Sequence, residues 1–156
     1  SKKVRVMGHG IDASFWTPDE TVFRGAALLS VGRLMPAKRH DLAIRVAQEE
    51  RVPLRIAGTG PEQERLAARA RELGAAVAFL GPCDEETLRD EYRRAARLIH
   101  RSETGSLDKV VLEAAACGCP VDSTDPAIGA LPLSPDYVRA HHSLQSLLPR
   151  ILKAYE

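Results

Sequence analysis

The chain has 156 residues, a length that suits one domain with one core and argues against two. Hydrophobic residues at 44% and charged residues at 28% supply enough apolar surface to offset chain entropy, which excludes intrinsic disorder. With 22 Lys plus Arg against 21 Asp plus Glu, a net charge of +1, the whole surface has no electrostatic case for non-specific nucleic-acid binding, so no nucleic-acid partner is expected.

Short apolar runs alternate with longer stretches of helical period, the pattern of a parallel sheet with helices on both faces. The class read from this is α/β. Strands are predicted at Val4 to Met7, Ala26 to Val31, Pro53 to Ala57, Val77 to Leu80, Arg97 to His100 and Val121 to Ser123. Gly8 to Gly25 lacks a clear period and reads as a long first loop, with Phe15 and Trp16 anchoring it to the core. Asp41 to Glu50 and Pro61 to Leu73 read as surface helices, the second opened by Pro61 and stopped by Gly74. Asp84 is the expected N-cap of a helix reaching Ala96, and Asp108 of a nearly all-apolar helix reaching Ala116. From Ser143 to Tyr155 an apolar stripe predicts a terminal helix in which Pro149 starts, kinks or breaks a turn. His141-His142 reads as a polar stretch before it.

Apolar runs are cut by Arg or Glu, so no membrane span and no membrane contact are expected, and Ser1-Lys2-Lys3 lacks the apolar run of a signal peptide. Three cysteines, an odd count without a second pair, point to reduced thiols and a cytoplasmic setting. Cys117 and Cys119 are read as packed thiols rather than metal ligands.

Three segments carry possible chemistry. Val31 to Asp41 joins a strand to a helix, and ligands of open α/β sheets sit beyond the carboxyl ends of strands. Arg33 and Lys38 there either clamp a diphosphate or form a solvated basic loop. Ile56 to Pro61 is a glycine-rich turn in which Gly58 and Gly60 allow backbone N–H groups to approach a phosphate. A tight turn explains the same glycines, and a dehydrogenase cofactor site is the weaker alternative because the third glycine is missing. In the third segment, Ser102 to Val121, an apolar helix carries one carboxylate, Glu113. Such a group either faces a cleft, where it accepts from a ribose diol, or pairs structurally with an Arg. His9 and His40 lie near the proposed cleft, but a lone His supports no catalytic role.

Taken in order, these motifs resemble the retaining GT-B glycosyltransferases of glycosyltransferase family 4, often called group 1. The resemblance runs from about Val4 to Val121. It is carried by Gly10-Ile11-Asp12 with Phe15, Leu29-Ser30-Val31-Gly32-Arg33 with Lys38, Ala57-Gly58-Thr59-Gly60-Pro61, and Phe79-Leu80-Gly81-Pro82. Leu112-Glu113-Ala114 with Ala116-Cys117-Gly118 and Pro120-Val121 completes it. The resemblance implies a single Rossmann-like domain over 1–156, the C-terminal half of a GT-B fold, which binds the nucleotide-sugar donor.

It further implies that Arg33 and Lys38 meet the donor diphosphate and stabilise it as it departs, and that Glu113 accepts from the ribose. Backbone from Gly81 through Pro82 to Cys83 edges the base pocket. Family members commonly carry another Glu eight positions before Glu113, and here that position is Gly105. Backbone N–H groups of Gly105, Ser106 and Leu107 remain able to reach the sugar or phosphate. No metal and no other cofactor are expected, because cationic side chains and a helix N-terminus neutralise the leaving group. The acceptor-binding N-terminal domain of the family is expected to be absent, so the chain alone should transfer no sugar. The other readings are a stand-alone nucleotide-sugar-binding module without turnover and, more weakly, a piece of a related sugar epimerase.

Overall fold

Leu28 and Leu29 on one strand, and Leu98 and Ile99 on another, point to opposite faces of a pleated sheet. Burying both members of each pair requires cover on both sides. A computed structural model, which describes residues 10–103 and 107–154, shows this arrangement. The strands are β1 (Leu28–Val31), β2 (Leu54–Ala57), β3 (Val77–Gly81), β4 (Arg97–His100) and β5 (Val121–Ser123). They form one sheet in the order β3-β2-β1-β4-β5 with every neighbouring pair parallel. The predicted strand at Val4 to Met7 lies outside the described residues.

Helices α1 (His40–Glu50) and α2 (Gln63–Leu73) cover one face, where Ile44, Ala47, Leu66 and Ala70 pack on Leu28, Leu54, Ile56 and Ile99. On the opposite face lie α3 (Glu85–Arg94) and α4 (Lys109–Ala116). There Tyr92, Val111 and Leu112 meet Leu29 and Leu98. Helix α4 is buried from Val111 to Ala116, as its apolar composition requires. The long first loop is anchored as expected: Trp16 is buried and meets Phe15 and Tyr92 edge to face. Arg24 closes the end of α3, donating to the carbonyls of Tyr92 at 2.9 Å and Ala95 at 2.7 Å.

After β5 come a single turn, α5 (Pro126–Gly129), then α6 (Pro135–His141) and α7 (Leu144–Ala154). Helix α6 was not expected from the sequence, and it takes in His141, the first residue of the expected polar stretch. Its start is written locally: Ser134 accepts from the Tyr137 N–H and Pro135 takes the first turn. Helix α7 runs through Pro149 instead of breaking there. The carbonyl that proline leaves without its usual donor belongs to exposed Gln145, where water can serve it.

The loops leaving β1, β2 and β3 stack on one another at the carboxyl edge of the sheet. The Gly58 N–H donates to the Gly81 carbonyl at 2.9 Å, and the Gly32 N–H to that of Ala57 at 3.0 Å. Gly58 adopts φ of 140°, and a Cβ there would stand 2.0 Å from the Gly32 carbonyl oxygen. A Cβ on Gly60 would stand 2.4 Å from that of Leu34. Loop-against-loop packing therefore accounts for both glycines. We predict that Gly58→Ala lowers stability by about 2 kcal/mol or more, roughly 4–8 °C in Tm. Gly129→Ala, where the added carbon meets nothing within 4 Å, should leave thermal unfolding unchanged or slightly raised. Equal unfolding of the two variants would show that the loop contact tolerates a side chain.

Candidate functional site

In this strand order β1 and β4 are neighbours whose following helices leave toward opposite faces, α1 to one and α4 to the other. Such a switch point opens a crevice at the carboxyl ends of the two strands. Its walls are the β1 loop, residues 32–39, and, facing it, residues 101–103 with residues 107–109 at the start of α4.

Lys38 ends a short 3-10 helix, Pro36–Lys38. Its aliphatic stem crosses Gly32, where an added Cβ would meet Lys38 Cδ at 3.5 Å. Its ammonium reaches the Asp108 carboxylate at 3.8 Å, with the two side chains 24% and 14% exposed. Arg33 is exposed on the same loop, and its backbone is pinned from beneath. His40 Nε2–H donates to the Arg33 carbonyl at 3.0 Å, while His40 Nδ1 accepts from the Ser30 hydroxyl at 2.7 Å. Burial lowers the His40 pKa, which favours the neutral ring that this pair of bonds requires.

The facing wall is tied to the β1 loop by the Glu103 N–H, which donates to the Ala37 carbonyl at 2.9 Å, and by the Arg39–Glu103 ion pair at 2.8 Å. Asp108 stands at the N-cap of α4, as expected, yet its side chain does not cap that helix. It accepts instead from His100 Nε2–H at 2.8 Å. This role was not read from the sequence. The available signal was the position of His100, the last residue of a strand that ends at the crevice.

Glu113 lies one turn into α4 and is only 6% exposed. Its partner is not an Arg: the Tyr92 hydroxyl donates to Glu113 Oε1 at 3.1 Å. Burial raises the Glu113 pKa, opposed by the Tyr92 bond and by Lys109 one turn earlier. Leu107 packs against the same core. Gly81 ends β3 with φ of 72°, and Pro82 follows it at the turn into α3. Gly105 and Ser106 lie outside the described residues. Arg33 and Lys38 thus stand on the loop beyond β1, Lys38 meets Asp108 at the start of α4, and Glu113 follows one turn further along that helix with its contacts on α3 and α4. The β2 and β3 turns flank them.

Other features are structural. Cys117 and Cys119 are buried, and burial pushes their thiols up to about 12 and about 11. No cluster of three or more His, Cys, Asp or Glu among the described residues could hold a metal. No described helix is long and apolar enough to cross a membrane. A groove of about 610 Å³ between the start of α1 and α2 contains none of the expected site residues. Its charges are paired: Arg39 with Asp41 and Glu103, Glu62 with Arg65, and Arg69 with Glu72.

Fold and crevice define a doubly wound parallel α/β domain with a cationic β1 loop facing a helix N-terminus. The family model described as glycosyl transferases group 1 matches residues 24–137, and the chain belongs to that family. It is 33% identical over 144 residues to a D-inositol 3-phosphate glycosyltransferase of Acidothermus cellulolyticus, covering 76% of this chain and 32% of that relative. The chain therefore spans about a third of the relative's length. Among solved structures it resembles sucrose-phosphate synthase from Thermosynechococcus elongatus, with a TM-score of 0.81, 17% identity, and coverage of 96% of this chain and 51% of that one. Anabaena HepE in complex with UDP and glucose gives a TM-score of 0.77 at 16% identity, covering 94% and 55%.

The raised pKa of Glu113 fixes a sign for pH dependence. The unfolded chain ionises this group first, so its contribution to stability is complete below about pH 4.5 and falls as pH rises through the folded pKa. Glu113→Gln cannot ionise and still accepts from Tyr92. We predict that its melting temperature relative to the parent climbs from pH 4 to pH 7. A difference independent of pH would show that the fold does not raise the Glu113 pKa.

Proposed function

We propose that the chain is the donor-binding half of a retaining GT-B glycosyltransferase of family 4, holding a nucleoside diphosphate sugar in the crevice between the ends of β1 and β4. One observation carries this reading: the β1 loop sets Arg33 and Lys38 at a topological switch point opposite the N-terminus of α4. Transfer of the sugar leaves growing negative charge on the diphosphate. Cations already in place there favour the transition state over the bound donor. Arg33 and Lys38 supply that charge, and no metal is called for in this scheme.

The remaining contacts follow the strand ends. Glu113 meets the ribose diol. Residues Gly81 and Pro82 edge the base, and backbone of Gly105, Ser106 and Leu107 reaches the sugar. Gly58 and Gly60 then serve the donor indirectly, by letting the β1 and β2 loops close together beneath it. An acceptor-binding domain completes the cleft. Similarity to relatives about three times the length of this chain supports that part, and similarity to HepE, whose solved structure holds UDP and glucose, supports the donor assignment.

A second reading, a nucleotide-sugar-binding module without turnover, is favoured by the sequence at one point. Gly105 stands where the family commonly has a Glu, so no carboxylate side chain is available there for the sugar.

Charge-assisted contacts of this kind contribute about 1.5–3 kcal/mol each. Arg33→Ala and Lys38→Ala should each weaken a nucleoside diphosphate about tenfold or more and leave the free nucleoside little changed. Glu113→Ala should weaken both ligands, since the diol is common to them. Calorimetric titration with UDP, GDP and ADP and their nucleosides checks this. No binding of any of the three diphosphates at millimolar concentration would defeat the donor-site reading.

A further inference from the structure

The cation assigned to the diphosphate already has an anion beside it. Lys38 and Asp108 face each other across the crevice at 3.8 Å, both largely shielded from water. Asp108 is not a loose surface carboxylate that drifted there. Its other oxygen accepts from His100 Nε2–H at 2.8 Å, and His100 is itself only 6% exposed. His100 Nδ1 accepts from the Ser123 hydroxyl at 2.9 Å, and Ser123 Oγ accepts from the Asp125 N–H at 3.1 Å. A carboxylate can only accept, so Nε2 carries its hydrogen toward Asp108. A relay across the ends of β4 and β5 therefore aims the carboxylate. The side chain also forgoes the cap bond that its position on α4 offers.

We propose that Asp108 is a built-in competitor for the diphosphate: its carboxylate holds Lys38 in the donor-free domain, and the incoming phosphates must displace it. This rests on the donor-site reading above. An anion brought to Lys38 must break its pair with Asp108, so the protein selects for ligands whose other contacts outweigh the lost pair. Inorganic phosphate and simple anions gain too little to enter.

Asp108→Asn isolates the charge. The amide oxygen still accepts from His100 Nε2–H, and the size is unchanged. Whichever of UDP, GDP or ADP binds the parent tightest should bind Asp108→Asn about fivefold tighter or more, the gain expected when a contact ion pair in a water-like crevice no longer has to be broken. The matching free nucleoside should bind both proteins equally. In a Lys38→Ala background the gain from Asp108→Asn should shrink, because there is no cation left to compete for. Should Asp108→Asn melt without cooperativity, Asp108→Ser removes the same charge and keeps an oxygen at the cap.

Unchanged or weaker diphosphate binding by these variants, beside measurable binding by the parent, would overturn the proposal and leave the donor site standing. An equal gain with and without Lys38 would replace competition by plain repulsion and overturn it too. Failure of every protein in the set to bind any of the three diphosphates would bring down the donor-site reading and this proposal with it. Binding by Asp108→Asn alone would support both.

Discussion

Between Gly32 and Gly58 two main chains come so close that no side chain fits. The Gly32 carbonyl oxygen occupies the space a Cβ on Gly58 would need, and the Gly58 N–H is held by the Gly81 carbonyl. The loops leaving β1, β2 and β3 are thereby stacked at the carboxyl edge of the sheet. The β1 loop is then free to differ only on its other side, toward β4. Because β4 sends its chain to the opposite face, nothing in the sheet closes that gap. Polar residues collect there for the same reason: strand ends expose main-chain groups and loop side chains that a packed core would reject. A backbone contact without chemistry of its own thus decides where the chemistry can be.

Two buried carboxylates on the α3–α4 face illustrate how the protein treats charge. Glu91 is held by Arg55 through two bonds of 2.8 and 2.9 Å and by Arg94 at 2.7 Å. Burial opposes its ionisation, but the two guanidinium groups more than reverse this and its pKa falls. Glu113 is buried to a similar degree beside a neutral hydroxyl, and its pKa rises. The difference lies in the partners rather than in depth. A carboxylate already matched by two cations belongs to the architecture, whereas one matched by a phenol retains bonding capacity and an unbalanced desolvation cost. That contrast separates a structural acid from a candidate binding acid without appeal to position alone.

Local pattern carried most of the fold. The spans of β4 and β5 coincide with their apolar runs. Those of β1, β2 and β3 shift by no more than two residues, and Asp84 caps α3 through the Thr87 N–H. Helices α5 and α6 were legible but unread, since Asp125-Pro126 and Ser134-Pro135 each place a cap before a first-turn proline. The contacts of the site were less accessible. Arg33, Lys38 and Glu113 are chemically conspicuous types at strand ends or on an apolar helix, so their candidacy was visible. Their partners were not. Asp108 looks like an ordinary helix cap until the sheet brings His100 and Ser123 beside it, and Glu113 finds Tyr92 only after α3 has crossed to lie against α4. Spacing along the chain encodes neighbours on one helix or strand, not neighbours across a crossover.

Each wall of the crevice is fixed by a histidine whose two ring nitrogens are both engaged. His40 ties the Ser30 hydroxyl on β1 to the Arg33 carbonyl, and His100 ties the Ser123 hydroxyl on β5 to the Asp108 carboxylate. In both, an acceptor without a hydrogen of its own, a loop carbonyl or a carboxylate, places the hydrogen on Nε2, while Nδ1 meets a hydroxyl at or near a strand's carboxyl end. The sheet's rigidity is passed to groups that a mobile loop could not hold in place. If the crevice holds the donor as proposed, the site gains most from cations whose surroundings are set in advance, since nothing then has to reorganise as charge develops on the diphosphate. On the β1 side this device holds the loop that carries cations. On the β4 side the same device holds the anion that meets Lys38, so both members of that ion pair stand on anchored walls.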